Sequence, residues 1–420
     1  MTTLISHIGK LAGIRGGGAP LRGKDLAELP CIENAYLAVE DGLIGAYGAM
    51  TDLRHAPGDF DRHVNAGGGL VLPSWCDSHT HIVFAGSREG EFVDKIRGLS
   101  YADIAAKGGG ILNSAALLNQ TDEDELFRQS MQRLQEVMAL GTGAIEIKSG
   151  YGLTVEGELK MLRVIRRLAA AVPIPVKASF LGAHTFPAAY KNDREGYLRL
   201  LIEEMLPRVH AEGLASYIDV FCEQDFFTPE ETLRICDAGR AFGLRPRIHA
   251  NQLGISGGVQ AGIEAGAISV DHLESMDDAA INALANASTI GTLLPSAAFF
   301  LRMAYQPARK LIDSGCAIAL ASDYNPGSSP SGNMNLVLSL ACIQMKMLPE
   351  EAINAATFNG ACALELENEA GSIAVGKRAN LILTRPVPSI AYLPYAFGSN
   401  LIDSVMAGGE WVSGRLNKTG

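Results

Sequence analysis

At 420 residues the chain is longer than one hydrophobic core usually grows, so one large domain with a smaller one beside it is expected. Its 47% apolar and 19% charged content is that of an ordinary globular protein and not of a disordered one. The formal charge of −11 excludes a nonspecific nucleic-acid binder, which needs a basic surface to displace counterions, and any anionic substrate then requires a local cationic clamp.

The first residues, Met1 to His7, show no basic segment followed by a long apolar one, and no later run of about 18 uninterrupted apolar residues occurs. A cytoplasmic protein that stays off membranes is expected. The seven cysteines, Cys31, Cys76, Cys222, Cys236, Cys316, Cys342 and Cys362, are scattered, odd in number and without a Cys-x-x-Cys pair. They read as reduced thiols, mostly buried, and neither a disulfide framework nor a zinc ribbon is indicated.

In chain order, residues 1–65 carry short strand candidates at 35–39 and 43–45, separated by Gly, Asp and Pro. From residue 70 to about 323 a unit repeats in which a short apolar, β-branched run ends in polar residues and is followed by apolar residues at helical spacing. The runs fall at 70–78, 144–148, 176–182, 218–223, 246–249, 268–272, 289–293 and 317–321. Helices are predicted at 123–140, 156–171, 195–212, 229–242 and 276–285. Eight such runs predict an α/β fold, a closed parallel (β/α)8 barrel of the TIM type. Residues 371–383 and 404–412 return to the texture of the first 65. Both chain ends are expected to build one small β-sandwich domain, from residues 1–65 and 365–420, beside a barrel domain at 66–364. Gly108-Gly109-Gly110 lacks the Gly-Lys-Ser/Thr of a phosphate loop and reads as a loop at the active site.

In such a barrel the catalytic groups sit at the C-terminal ends of the strands. The first run closes in Asp77-Ser78-His79-Thr80-His81, and side-chain alternation turns His79 and His81 the same way, able to grip one ion. The fifth run ends in His249, the sixth in His272 and the eighth in Ser322-Asp323. One buried histidine is more often a packed core residue, but these groups all falling at strand ends point to a metal centre. Imidazoles with a carboxylate suit a divalent ion such as zinc, or iron, with a place left for water.

The arrangement of Asp77-Ser78-His79-Thr80-His81, His249, His272 and Asp323 resembles the amidohydrolase superfamily, metal-dependent hydrolases built on a barrel with a small β-sandwich. Linked stretches narrow the likeness: Phe84-Ala85-Gly86-Ser87-Arg88, Glu146-Ile147-Lys148-Ser149-Gly150-Tyr151-Gly152, Leu181-Gly182-Ala183-His184, His249-Ala250-Asn251-Gln252 and Ser322-Asp323-Tyr324-Asn325-Pro326-Gly327-Ser328. They are similar to those of the members that open the ring of 4-imidazolone-5-propanoate with water, giving N-formimidoyl-L-glutamate in histidine degradation. The likeness covers essentially the whole chain. Another member, such as a cytosine or guanine deaminase, is the alternative; it would share the ligands but not a carboxylate clamp.

The resemblance implies one ion, zinc or iron, held by His79, His81, His249 and Asp323, and a homodimer acting on a small anionic substrate. It implies a catalytic pair, Asp323 to move a proton between water and leaving nitrogen, and His272 to donate to the oxyanion or orient the water. Arg88 matches the partner of the propionate carboxylate, Tyr151 and His184 match ring and carboxylate contacts, and Asn325, Gly327 and Ser328 match the binding loop after strand eight. Position 252 departs from relatives that carry a glutamate there. The neutral Gln252 is restricted to hydrogen bonding the ring, leaving the general base between Asp323 and His272. Two-metal relatives use a carbamylated lysine at the end of strand four, but that end reads Val220-Phe221-Cys222-Glu223 and Lys148 lies on strand two. One ion is therefore favoured, with Glu223 the residue placed to bridge a second.

Overall fold

The computed structural model describes residues 1–99 and 109–416; of the Gly108-Gly109-Gly110 run, Gly108 lies outside the described residues. Eight parallel strands form one sheet in strict chain order: Trp75–Asp77, Thr142–Lys148, Val176–Ala183, Tyr217–Cys222, Arg245–Ala250, Ser269–His272, Ile290–Leu293 and Ile318–Leu320. These are barrel strands one to eight. Side chains on strands one, two, four, six, seven and eight are all buried, as expected when a parallel sheet is covered on one face by helices and closed on the other. Between them run the helices that the 3.6-residue spacing predicts, among them Glu123–Ala139, Val155–Ala171 and Pro229–Ala241. Each begins at a side-chain cap: Asp122 accepts from Asp124 N, Thr154 from Gly157 N, and Thr228 with Glu231 forms a reciprocal capping box.

The chain departs from expectation in two places. Residues 195–212, read as one helix, form Arg194–Arg199 and Leu206–Ala211 with a π-helical stretch, Leu200–Met205, between them. Pro207 at the start of the last segment has no N–H to donate, and the widened turn before it absorbs the missing bond. The run at 70–78 is two strands, not one. Leu70–Pro73 pairs with Lys10 and Leu11 on one side and with residues 381–383 on the other. After Pro73 the chain crosses over: Ser74 N donates to Asn380 O, Trp75 N to Gly141 O, and barrel strand one begins. Residues 70–73 thus belong to the small domain's sheet, and the passage into the barrel falls at Ser74 instead of near residue 65. The apolar run hides this junction because both sheets bury it.

The small domain is drawn from both chain ends. Thr2–Ala12, Cys31–Glu40, Leu43–Ala49, Arg62–Asn65, Leu70–Pro73, Leu381–Thr384, Ile402–Ala407 and Glu410–Gly414 form one continuous eight-stranded sheet. Its own apolar core gathers Ile5, Leu11, Leu37, Val71, Leu381, Met406 and Trp411. The 404–412 texture resolves into a hairpin whose turn, Gly408-Gly409, has φ of 57° and 84°, a conformation that glycine adopts without a steric penalty.

Barrel strands one and eight meet beyond their C-terminal ends. Asp323 N donates to His79 O at 3.0 Å, His81 N to Tyr324 O at 2.9 Å, and Asp77 accepts Ser322 N at 3.0 Å and Ser322 Oγ at 2.6 Å. Burial pushes the Asp77 carboxyl up to about 7, with the Ser322 bonds opposing. These closing bonds join the two segments that carry His79, His81 and Asp323. Asp77→Ala leaves the Ser322 donors unpaired in a dry interior, which should lower unfolding stability by about 1–3 kcal/mol. A thermal melt of the metal-free variant checks this, and an unchanged midpoint would refute the closure role.

Candidate active site

Four side chains converge at the mouth of the barrel. His79 and His81 follow strand one, His249 ends strand five, and Asp323 follows strand eight, entered through a left-handed backbone turn at φ 54°. His81 Nε2 lies 3.3 Å from His79 Nε2 and 3.4 Å from His249 Nε2. Asp323 Oδ1 is 3.5 Å from both His79 Nε2 and His81 Nε2. Donors bound tetrahedrally at ~2.0–2.1 Å to one ion stand about 3.3 Å apart, the spacing seen here.

The protonation pattern points the same way. His79 Nδ1 is 2.8 Å from Asp271 Oδ2, and His249 Nδ1 is 3.1 Å from Asp219 Oδ1. A carboxylate fixes the proton on Nδ1, so the Nε2 atoms of His79 and His249 both present lone pairs toward His81. Burial and neighbouring positive groups hold the His79 and His81 imidazoles well below their usual range, which favours the neutral rings that can ligate a cation. Among the described residues His79, His81 and His249 form one group able to hold a metal ion and His79, His272 and Asp323 another, so the donors fit a divalent metal site, and all of them are 2% exposed or less.

Behind the imidazoles lies a fully buried ionic layer that the sequence reading did not assemble. Lys148 Nζ lies 2.7 Å from both Glu146 Oε1 and Asp219 Oδ2, while Arg247 donates to Ser78 O and Ala363 O and lies 3.6 Å from Asp271. Register places Arg247 opposite Asp219 and His249 opposite Asp271, so the layer is a product of strand pairing. Glu146, Asp219 and Asp271 share the two cations Lys148 and Arg247. With its ammonium held between two carboxylates and raised above its usual range against the opposing effect of burial, Lys148 is a poor candidate for carbamylation. Glu223, placed to bridge a second ion, instead accepts Gln224 N and Leu253 N.

His272 stands beside this centre, its ring centroid 5.3 Å from that of His249 and 5.6 Å from that of His79. Its Nδ1 is 3.4 Å from Glu274 Oε1, which also accepts Gln306 Nε2 at 2.9 Å. Burial disfavours the imidazolium, but Glu274, Asp323 and Asp271 outweigh it and raise the pKa. Burial pushes Asp323 up to about 6, against the pull of His272 and Asn325. The backbone at His272 and Leu273 is left-handed, φ 87° and 67°, strain of the kind that concentrates at functional sites.

Above the four donors opens a cavity of about 400 Å³. Arg88, Tyr151, His184, Gln252, Asn325, Gly327 and Ser328, all named from sequence, line it together with His81, His249, His272 and Asp323. His184 Nδ1 donates to Gly150 O at 3.0 Å, and burial lowers its pKa to about 3, so the neutral ring keeps Nε2 as an acceptor. A Cβ at Gly150 would stand 2.8 Å from that Nδ1, which requires glycine there. Asn325 lines the wall, but its amide builds the loop: Oδ1 accepts Gly327 N and Ser328 N, and Nδ2 donates to Asp323 O and Ser328 Oγ. Phe221, Phe226, Leu253, Leu301 and Ile111 supply the apolar walls, and Lys95, not singled out in the sequence, adds a second cation.

A (β/α)8 barrel closed by a sheet from both chain ends, with a divalent site at the strand ends, is the architecture of metal-dependent hydrolases. Residues 70–412 match the amidohydrolase family, and the chain belongs to it. It is 55% identical over 411 residues to an imidazolonepropionase of Flavobacterium johnsoniae, covering 98% of this chain and 100% of that one. It is 52% identical over 413 residues to an imidazolonepropionase of Christiangramia forsetii, covering 98% and 100%, and 42% over 421 residues to one of a Geobacillus strain, covering 98% of both. Within the amidohydrolases this is a member of the imidazolonepropionase family. Among solved structures, E. coli guanine deaminase matches with a TM-score of 0.73 at 15% identity over 99% of both chains. An adenosine deaminase from Xanthomonas campestris with bound zinc matches with a TM-score of 0.72 at 17% identity, covering 97% of this chain and 92% of that one. At these identities the likeness shows the fold alone.

Asp219→Ala and Asp271→Ala each free an imidazole from its tautomer and orientation. Each should weaken divalent-metal affinity roughly 10–100-fold in chelator competition. Unchanged metal retention in both variants would show that the imidazoles hold their pose without the carboxylates.

Proposed function

We propose that this chain is a metal-dependent hydrolase that opens the ring of 4-imidazolone-5-propanoate, giving N-formimidoyl-L-glutamate. The observation that carries the reading is one cavity with His81, His249 and Asp323 on its wall, His79 directly behind them, and a half-buried arginine, Arg88, at its rim. A ring amide and a carboxylate are the two groups such a cavity addresses. The likeness to curated imidazolonepropionases over nearly the full length supports it. With it go further readings: zinc or iron as the ion, since both suit three imidazoles and a carboxylate, a role in histidine degradation, a cytoplasmic setting and a homodimer free of nucleic acid. Among the described residues no helix is long and apolar enough to cross a membrane.

When bound, a divalent ion supplies Lewis acidity toward the amide carbonyl and makes water acidic enough to attack near neutral pH. Asp323, buried beside that centre, takes a proton from the attacking water and returns it to the ring nitrogen as the carbon–nitrogen bond breaks. His272, favoured in its charged form by Glu274, donates Nε2–H to the developing oxyanion. His184, neutral and accepting at Nε2, takes a ring N–H and not a carboxylate. Gln252 hydrogen bonds the ring, and Tyr151 packs beside His81 and His184 with ring centroids at 6.0 Å and 5.5 Å. Arg88 binds the propionate, and Ser328, within 3.3 Å of Asp323 Oδ2, steadies the carboxylate.

The purified enzyme should turn over 4-imidazolone-5-propanoate and leave cytosine and guanine untouched; deamination of the bases alone would overturn the assignment. Metal analysis of the same preparation decides between zinc and iron. Asp323→Asn should lower kcat roughly 10²–10⁴-fold while the protein still melts cooperatively. Retained turnover in that variant would remove Asp323 from the proton path.

A further inference from the structure

Two cations reach the cavity from the segment after barrel strand one, and the functional reading above uses only Arg88. Its guanidinium is already partnered: Nη2 donates to Glu91 Oε2 at 2.5 Å, and Glu91 Oε1 accepts Gly110 N at 2.9 Å. Arg88 and Glu91 together form a neutral pair. A substrate carboxylate arriving there would leave the rim one negative charge in excess, in a protein that already carries −11.

The second cation is Lys95, on helix Glu89–Ile96, for which Arg88 is the N-cap. Seven residues separate them, two helical turns, so both project from the same face. Lys95 Nζ stands 3.4 Å from Gly327 O, and among the described residues no carboxylate lies within ion-pair distance of it. Gly327 also admits the guanidinium: a Cβ there would stand 2.3 Å from Arg88 Nη1. One glycine thus lets two cations approach the same patch of cavity wall. Burial lowers the Lys95 pKa and the charge of Arg88 lowers it further, with Glu91 opposing, so an anion between the two groups would relieve a standing repulsion.

We propose that Lys95 is the second cation of the carboxylate subsite, so that the propionate is held between Lys95 Nζ and the Arg88 guanidinium over Gly327. Arg88, Glu91, Lys95 and the bound carboxylate then sum to zero charge. The placement also makes Lys95 a specificity residue, since it rewards substrates whose carboxylate reaches the rim and discriminates against neutral rings. The proposal rests on the functional reading only for the identity of the substrate.

The test uses the full-length, metal-loaded enzyme and two probes, 3-(imidazol-4-yl)propionate and its uncharged amide, measured by calorimetry. Lys95→Met should weaken the anionic probe at least about tenfold and the amide less than about twofold, with Lys95→Arg restoring most of the anion affinity. With the ring substrate, KM should rise in Lys95→Met far more than kcat falls. Equal loss for both probes, or undiminished binding of the anion, would overturn the proposal. If the anion is selectively weakened yet the wild-type enzyme leaves 4-imidazolone-5-propanoate intact, the carboxylate subsite stands and the assigned substrate falls.

Discussion

The constraint on which the site depends is electrostatic: four electron-rich atoms, the Nε2 of His79, His81 and His249 and Oδ1 of Asp323, are held against one another in a dry interior. Lone pairs at such separations repel. The protein sustains the arrangement by fixing the Nδ1 of His79 and of His249 with a carboxylate and holding those carboxylates beside buried cations. Asp271 and Asp219 orient imidazoles; Lys148 and Arg247 offset those acids and Glu146. A buried ionic layer contributes little net stability, because desolvation offsets the attraction. Its value here is orientation.

Closure of the barrel serves the same end. The hydrogen bonds joining strands one and eight lie beside the residues that carry His79, His81 and Asp323, so the seam of the fold and the donor set form together. The helix at Glu123–Ala139 extends that control outward. Arg133 donates to Ile82 O, Phe84 O and Gly86 O and lies 3.5 Å over the Phe84 ring, holding the loop that leads from His81 to Arg88. The rim and floor of the cavity are therefore not independent.

Much of the fold is legible in the chain because alternating strand and helix periods repeat eight times with polar residues at each strand end. What escapes is local competition. Pro207 turns one helix into two with a π-helical stretch between, and the apolar run at 70–78 conceals a change of sheet because burial on both sides erases any alternation. Within the site, the residues named for substrate binding line one cavity, yet Asn325 uses its amide to shape its own loop. Asp219, Asp271 and Arg247 are readable only as charges inside strands, and Glu274 as one just past a strand end, a signal that marks a buried network without revealing its partners.

The sequence by itself determined the element order and the closed parallel architecture, and it set His79, His81, His249 and Asp323 at strand ends, since these follow from period and length. The tertiary structure decided which charge faces which. Asp271 meets His79 across 192 positions and Lys148 meets Asp219 across 71, pairings set by strand register and barrel closure. It also decided that Lys95 shares a wall with Arg88, because a helix turn and a glycine at position 327 bring distant segments to one rim. Protonation states and charge balance are properties of that three-dimensional neighbourhood, and no local pattern encodes them.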